Sequence, residues 1–320
     1  MRFEKFAASI ALFVCTLINS GQTQSAAGKN GFEKTTGTES NFLMLKEKAE
    51  AGDAPSQSAL ASAYFTGSSV ARDYSEAARW YSAAASQGSR DAQFMLGYLY
   101  EHGFGLRQDY VKAAGQYRAA ASQGSAIAAN NLASLYHHGR GVRKDLKAAF
   151  GWYRAAAERG QTVAQCNLAS LYMLGQGTHR DYIEAAKWFR AAAEKGFAIA
   201  QVDLAYLYYT GQGVDRDYRE AAKWAGLAAE QGDATAQTDL GYLYEQGKGV
   251  PLDYVTAYAW YTLGEAGGNA DSSRQVKSLS RLMPAKQLAE AKARVAVVSQ
   301  SRRTNEDLSS LGATSFFPAH

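Results

Sequence analysis

Cysteine is nearly missing from this chain: Cys15 and Cys166 are the only two in 320 residues. If an N-terminal leader carrying Cys15 is removed, a lone cysteine remains and no intramolecular disulfide can form. Proline is as scarce, with 4 residues, and so few breakers permit extensive helix. Charge of one sign is also lacking. Thirty-four basic residues face 30 acidic ones, a net +4, and this small excess gives no reason to expect nucleic acid as a partner. Histidine is rare and scattered, at His102, His137, His138, His179 and His320. Near these no cysteine or carboxylate cluster falls at metal-ligand spacing, so they read as surface residues close to loops and no cofactor is implied. Neither a Ser-x-x-Lys nor a Gly-x-Ser-x-Gly nucleophile motif occurs. Cys166 has no identifiable activating base in the sequence.

One apolar run stands out, Phe6 to Leu17 after the basic Arg2 and Lys5. It is too short to cross a bilayer comfortably and suits the core of a secretory signal peptide. Residues 1–20 read as that signal, with cleavage after Ser20 or as late as residue 27 near Ala26-Ala27. An uncleaved anchor is the rival reading. Lipidation at Cys15 is disfavoured, because Leu12-Phe13-Val14 places bulky residues where a lipoprotein signal has small ones. The expectation is an exported protein, periplasmic or secreted if bacterial, with no stable membrane insertion once the signal is gone.

What the chain has in abundance is glycine, 30 residues, and the glycines keep a period. Gly52, Gly88, Gly124, Gly160, Gly196, Gly232 and Gly268 are each 36 apart. The same step links Tyr64, Tyr100, Tyr136, Tyr172, Tyr208 and Tyr244, and also Asp73, Asp109, Asp145, Asp181, Asp217 and Asp253. All five tryptophans share one column, at Trp80, Trp152, Trp188, Trp224 and Trp260, with Gln116 in the gap.

Each period reads as two helices. The first, such as Ala92 to His102, aligns Ala92, Leu96, Leu99 and Tyr100 on one helical face. The second, such as Tyr110 to Ser122, starts after an N-capping aspartate. In three units a glutamate follows three residues on, Asp73 with Glu76, Asp181 with Glu184 and Asp217 with Glu220, which predicts a capping box. A Gly-x-Gly loop joins the helices; the first unit has Ser69 at the second glycine. The Trp and Tyr columns read as core, and the alanine pairs as close-packing positions between stacked hairpins. Residues 28–41 read as a flexible spacer, 42–268 as six repeats, 269–298 as capping helices separated by Met283-Pro284, and 299–320 as a disordered tail ending in Phe316-Phe317-Pro318.

The run Ala-x-x-x-Leu-Gly/Ala-x-Leu-Tyr-x-x-Gly-x-Gly-Val-x-x-Asp-Tyr-x-x-Ala-x-x-Trp-Tyr, seen in most of Ala236 to Gly268, resembles the Sel1-like repeat, a tetratricopeptide-like family. The resemblance implies an all-α, right-handed α/α superhelical solenoid, a role in protein–protein assembly or signalling, and first helices that line a concave face. Cysteine-rich members of the family are described as binding or hydrolysing β-lactams, but they carry paired cysteines in each repeat, which this chain lacks.

The repeats can also be compared with one another. Columns held constant serve stacking, and columns that vary are freed from it and are expected to be exposed. In the first helix the varying columns form a stripe that runs Phe94, Tyr98, Glu101, then Asn130, Ser134, His137, then Cys166, Ser170, Met173, with a neighbouring column of Met95, Asn131, Asn167, Asp203 and Asp239. From this stripe Tyr98, Asn131, Asn167, Asp203, Tyr206, Tyr209, Asp239, Tyr242 and Glu245 are the candidate partner-binding residues. Tyrosine offers broad contact area with little entropy to lose, and amides can bond an extended backbone. The expected function is a non-catalytic scaffold or adaptor for a protein or peptide, an envelope protein among the candidates. A glycan-binding envelope or exopolysaccharide scaffold is the alternative.

Overall fold

The computed structural model describes the backbone of residues 36–296 and the side chains of residues 41–296. The expected signal peptide, the first part of the spacer and the C-terminal tail lie outside the described residues. Among these residues every regular element is a helix. A leading helix α1 (Thr36–Glu50) precedes six hairpins. These are α2 (Ala54–Thr66) with α3 (Tyr74–Ser86), α4 (Arg90–His102) with α5 (Tyr110–Ser122), and α6 (Ala126–His138) with α7 (Leu146–Glu158). Then come α8 (Thr162–Leu174) with α9 (Tyr182–Ala193), α10 (Ala198–Thr210) with α11 (Tyr218–Glu230), and α12 (Ala234–Gln246) with α13 (Tyr254–Ala266). A closing helix α14 (Ala270–Leu282) and a last one, α15, over 285–296 follow. In each hairpin the first helix is called A and the second B. The chain divides into two compact units, Met1–Arg180 and Asp181–His320, so the division falls in the loop of the fourth hairpin. Helix α1 begins at Thr36, inside the segment expected to be a spacer.

The period is legible in the caps. At each B helix the recurring aspartate sits in extended backbone and accepts from the free N–H groups of the first turn, as Asp217 does from Arg219 at 2.8 Å and Glu220 at 3.2 Å. The capping box, by contrast, is only half formed. The aspartate's own N–H is already taken, since Asp73 donates to Tyr64 O and Asp217 to Tyr208 O, both at 3.0 Å. The glutamate therefore turns outward. Glu76, Glu184 and Glu220 each accept from the indole N–H of the tryptophan four residues on, at 3.0–3.1 Å. Each also pairs with a cation three residues on, Arg79, Lys187 or Lys223, and that cation lies over the same indole ring. Trp80 and Trp224 are buried, whereas Trp152, Trp188 and Trp260 are half-buried. The Tyr64 column is half-buried throughout.

The centre of each hairpin is the residue after the tryptophan column. Tyr117, Tyr153, Phe189 and Tyr261 are wholly buried there. Where the A helix carries glycine opposite this ring, the fit is close: a Cβ on Gly97 would come within 2.8 Å of Tyr117, and one on Gly241 within 2.9 Å of Tyr261. Successive hairpins are joined by the second loop glycine. A Cβ on Gly213 would stand 2.0 Å from Tyr182 O, and one on Gly249 1.9 Å from Tyr218 O. The loop of one repeat thus rests on the first turn of the preceding B helix, and only glycine lets the two backbones meet.

A second tie is a glutamine column of the A helix. Gln57, Gln165, Gln201 and Gln237 are buried and donate to carbonyls at the end of the preceding helix, Gln201 to Ala193 O and Gln237 to Ala229 O at 3.1 Å. Their amide oxygens accept in turn, Gln57 from Gln87, and Gln201 from Gln231, both at 2.8 Å. Each of these helix-end carbonyls also accepts from the backbone N–H of the glycine three residues on, as Ala193 O does from Gly196 at 2.9 Å, so the glutamine adds a second bond at the helix end.

Candidate functional site

None of the nine stripe residues is fully exposed. Asn167, Asp203 and Tyr206 are buried, with exposures of 7%, 2% and 8%, and Tyr98, Asn131, Tyr209, Asp239, Tyr242 and Glu245 are half-buried. The expectation of exposure is therefore corrected. Within each unit the A helices lie side by side along this stripe, and a side chain freed from packing within its hairpin still meets the neighbouring A helix. Cys166, Met173 and Val202, in the same varying columns, are buried as well.

In the first unit the stripe has two parts. At its start, rings from two repeats gather: Phe65 lies 6.2 Å from Tyr98 and 5.4 Å from Tyr74, and Phe104 lies 5.0 Å from Tyr74 and 5.9 Å from Tyr98. His102 joins them, 4.3 Å from Tyr98. Further on, amides bond in series. Asn167 donates to Asn130 Oδ1 at 3.1 Å, and Asn130 donates to Asn131 Oδ1 at 3.2 Å. Beside them His137 is half-buried; burial, then the neighbouring His138 and Lys144, pull its pKa down to about 4, so it is neutral at physiological pH.

The second unit repeats the ring cluster with one change. Tyr209, Tyr218 and Tyr242 occupy the columns of Phe65, Tyr74 and Tyr98, four repeats on, and Lys248 takes the place of Phe104. Its ammonium donates to Tyr209 OH at 2.7 Å and lies 4.9, 5.4 and 5.4 Å from the ring centroids of Tyr209, Tyr218 and Tyr242. A cation faced by several rings is held by their quadrupoles. Glu245 accepts from Tyr261 OH at 2.6 Å, as Glu101 does from Tyr117, so this candidate residue also has a structural duty. Where the first unit has Asn131 and Asn167, the second has Asp203 and Asp239. Burial pushes Asp203 up to about 8, with a further push from Asp233. The same two causes raise Asp239 well above the usual carboxylate range.

Sequence reasoning found the stripe and missed the Lys248 cluster and the glutamine ties. The glutamine column was available in the period. The cluster was not, because its members come from four different columns. Among the described residues no group of three His, Cys, Asp or Glu side chains is placed to hold a metal ion, and no helix is long and apolar enough to cross a membrane.

Helical hairpins with capped, stacked and nearly identical units define a tandem α-helical repeat protein. The Sel1 repeat profile matches six contiguous segments, residues 54–89, 90–125, 126–161, 162–197, 198–233 and 234–269, and the chain belongs to the Sel1 repeat family. It is similar to the crystal structure of c5321, described as a protective antigen present in uropathogenic Escherichia coli strains displaying an SLR fold. The two share 35% identity and a TM-score of 0.74, over 78% of this chain and 54% of that one. The chain thus spans about half the length of that neighbour. It is also similar to a Sel1 repeat protein from Oxalobacter formigenes, at 29% identity and a TM-score of 0.60, over 72% of this chain and 97% of that one. No curated protein sequence matches the chain.

Proposed function

We propose that this protein is a non-catalytic scaffold or adaptor that acts outside the cytoplasm and binds a partner protein along its A-helix stripe. The observation that carries the reading is the chemistry of that stripe. The columns that the stack does not fix hold half-buried tyrosines at Tyr98, Tyr209 and Tyr242, beside amides in the first unit and acids in the second. Such side chains combine contact area with hydrogen-bonding capacity. Sel1 repeats are in general protein-interaction modules, which favours a protein over a glycan as the partner. Export rests on the apolar run of Phe6 to Leu17, and the naming of a similar structure as a protective antigen is in keeping with a protein met outside the cell.

The test is capture of partners from an envelope extract, with the wild type beside Tyr98→Ala plus Tyr242→Ala. These two are chosen because they are half-buried, whereas Tyr206 is buried and its loss would disturb packing. Loss of a specific captured protein with an unchanged helical circular dichroism spectrum supports the reading. Identical capture by both proteins contradicts it. Fractionation and sequencing of the mature N-terminus test the export, which fails if residues 1–20 are retained in a cytoplasmic protein.

A further inference from the structure

From the second hairpin on, one residue lies between the two loop glycines, and its type changes along the chain: Phe104, Arg140, Gln176, Gln212 and Lys248. Its backbone does not change. Each donates its N–H to the leucine carbonyl five residues before, Lys248 to Leu243 O at 3.0 Å, and glycines at positive φ flank it, +62° at Gly247 and +74° at Gly249. The loop therefore fixes where this side chain starts, and the stack leaves its type open. In three loops the side chain lies against the ring that opens the preceding B helix. Phe104 stacks on Tyr74 at 5.0 Å, Arg140 lies over Tyr110 at 5.9 Å, and Lys248 over Tyr218 at 5.4 Å.

Two observations set Lys248 apart. The rings around it do not need a cation, because in the first unit Phe65, Tyr74 and Tyr98 gather around Phe104 in the same columns. Nor does an acid balance its charge. Arg79, Lys187 and Lys223 also lie over rings, and each pairs with a glutamate three residues before. The groups that act on Lys248 are Tyr209 and Tyr242, and among the described residues no carboxylate pairs with it. An ammonium has three N–H donors, of which these tyrosines engage at most two. Lys248, Tyr209, Tyr218 and Tyr242 are all half-buried, so the cluster reaches the surface while its cation is held in place.

We infer that Lys248, held by Tyr209, Tyr218 and Tyr242, anchors a carboxylate carried by an acidic side chain of the partner protein. This inference rests on the scaffold reading and names the chemistry at one point of its stripe. The carboxylate supplies the counter-charge that Glu76, Glu184 and Glu220 supply to their cations within the chain. The ammonium is already positioned by loop and rings, so little side-chain freedom is lost on binding. The surrounding rings also displace water, which makes the pair stronger than one between two exposed chains.

The probe is an N-acetylated Gly-Glu-Gly-Glu-Gly amide, titrated into the full chain at pH 7 with its tyrosine rings labelled with carbon-13 and followed by NMR. The signals of Tyr209, Tyr218 and Tyr242 are each identified by their absence in the Tyr→Phe variant. Expected is a saturable shift of these three signals, absent with the peptide that carries glutamine for glutamate. Lys248→Phe copies Phe104 and so keeps the cluster packed; it should weaken binding about tenfold or more. Lys248→Arg keeps the charge and should bind nearly as the wild type does, as should Lys286→Met, which removes an exposed lysine of α15. No shift in the wild type, an equal shift with the glutamine peptide, or undiminished binding by Lys248→Phe would overturn the anchor. If Lys248→Phe loses the peptide but keeps a partner whose capture depends on Tyr98 and Tyr242, the anchor fails for that partner while the scaffold reading stands. If capture is indifferent to those tyrosines while the peptide still depends on Lys248, the scaffold reading fails and the carboxylate site stands.

Discussion

At the residue scale, the second unit places two acids where the first has amides, and stability should report it. An acid whose pKa rises on folding favours the folded state while it is protonated, and that contribution fades as pH climbs through the folded value. Asp203 goes from an ordinary 3.8 to about 8, so the wild type should lose stability between about pH 4 and pH 8. Asp203→Asn carries no such titration. Urea melts of the two proteins across that range should therefore diverge as pH rises, with the variant the more stable at pH 8. Parallel curves would mean that Asp203 is not buried as described. Gln201 is a second single-residue test. Its amide spans Ala193 O and Gln231, and Gln201→Ala removes both bonds while Ala193 O keeps the Gly196 N–H, so stability should fall by only about 1 kcal/mol in the same assay.

At the element scale, the loop geometry makes a sharper prediction. In Gly213→Ala the new methyl would meet Tyr182 O at 2.0 Å with φ at +74°, so both the backbone angle and the space oppose it. The loss should reach about 3 kcal/mol or more by the sum of strain and overpacking. Gly196→Ala also sits at positive φ but meets nothing within 4 Å and should fall well short of that. Comparable melting points for the two would refute the backbone contact between hairpins. This is also the scale at which the sequence was most readable. Helix limits, aspartate caps and turn glycines recur every 36 residues, and each repetition is a fresh statement of one local rule. On either side of Met283-Pro284, within the segment 269–298, the helices run over Ala270–Leu282 and 285–296. Two readings failed for a common reason. Spacing alone predicts the capping box, but Tyr64 O and Tyr208 O take the N–H that the glutamate would bond. Variation along the stripe suggests exposure, but variation shows only freedom from a shared rule. A neighbouring A helix meets Asn167 through Asn130 without asking for one residue type, and that contact is a tertiary fact that no single column records.

At the scale of the whole molecule, a hairpin array has no central core, and each hairpin depends on its neighbours. The C-terminal helices show what an end requires. Leu279, Met283 and Ala291 bury Val255, Tyr258 and Tyr261 of the last repeat, and Arg294 reaches Asp253 at 3.3 Å. A chain that stops at Asn269 would bare that apolar face. It should melt several degrees lower than the full chain, on the order of 5 °C, and associate at concentrations where the full chain does not, as read by light scattering. The same dependence leaves the A-helix stripe as the surface where composition varies from repeat to repeat, and the central claim is that a partner is read there. Hydrogen exchange of the full chain, with and without a captured partner, tests this most directly. The account predicts added protection in α4, α10 and α12, with the exposed faces of α5, α9 and α11 unchanged. Protection confined to those B helices, with the A helices exchanging as before, would contradict it.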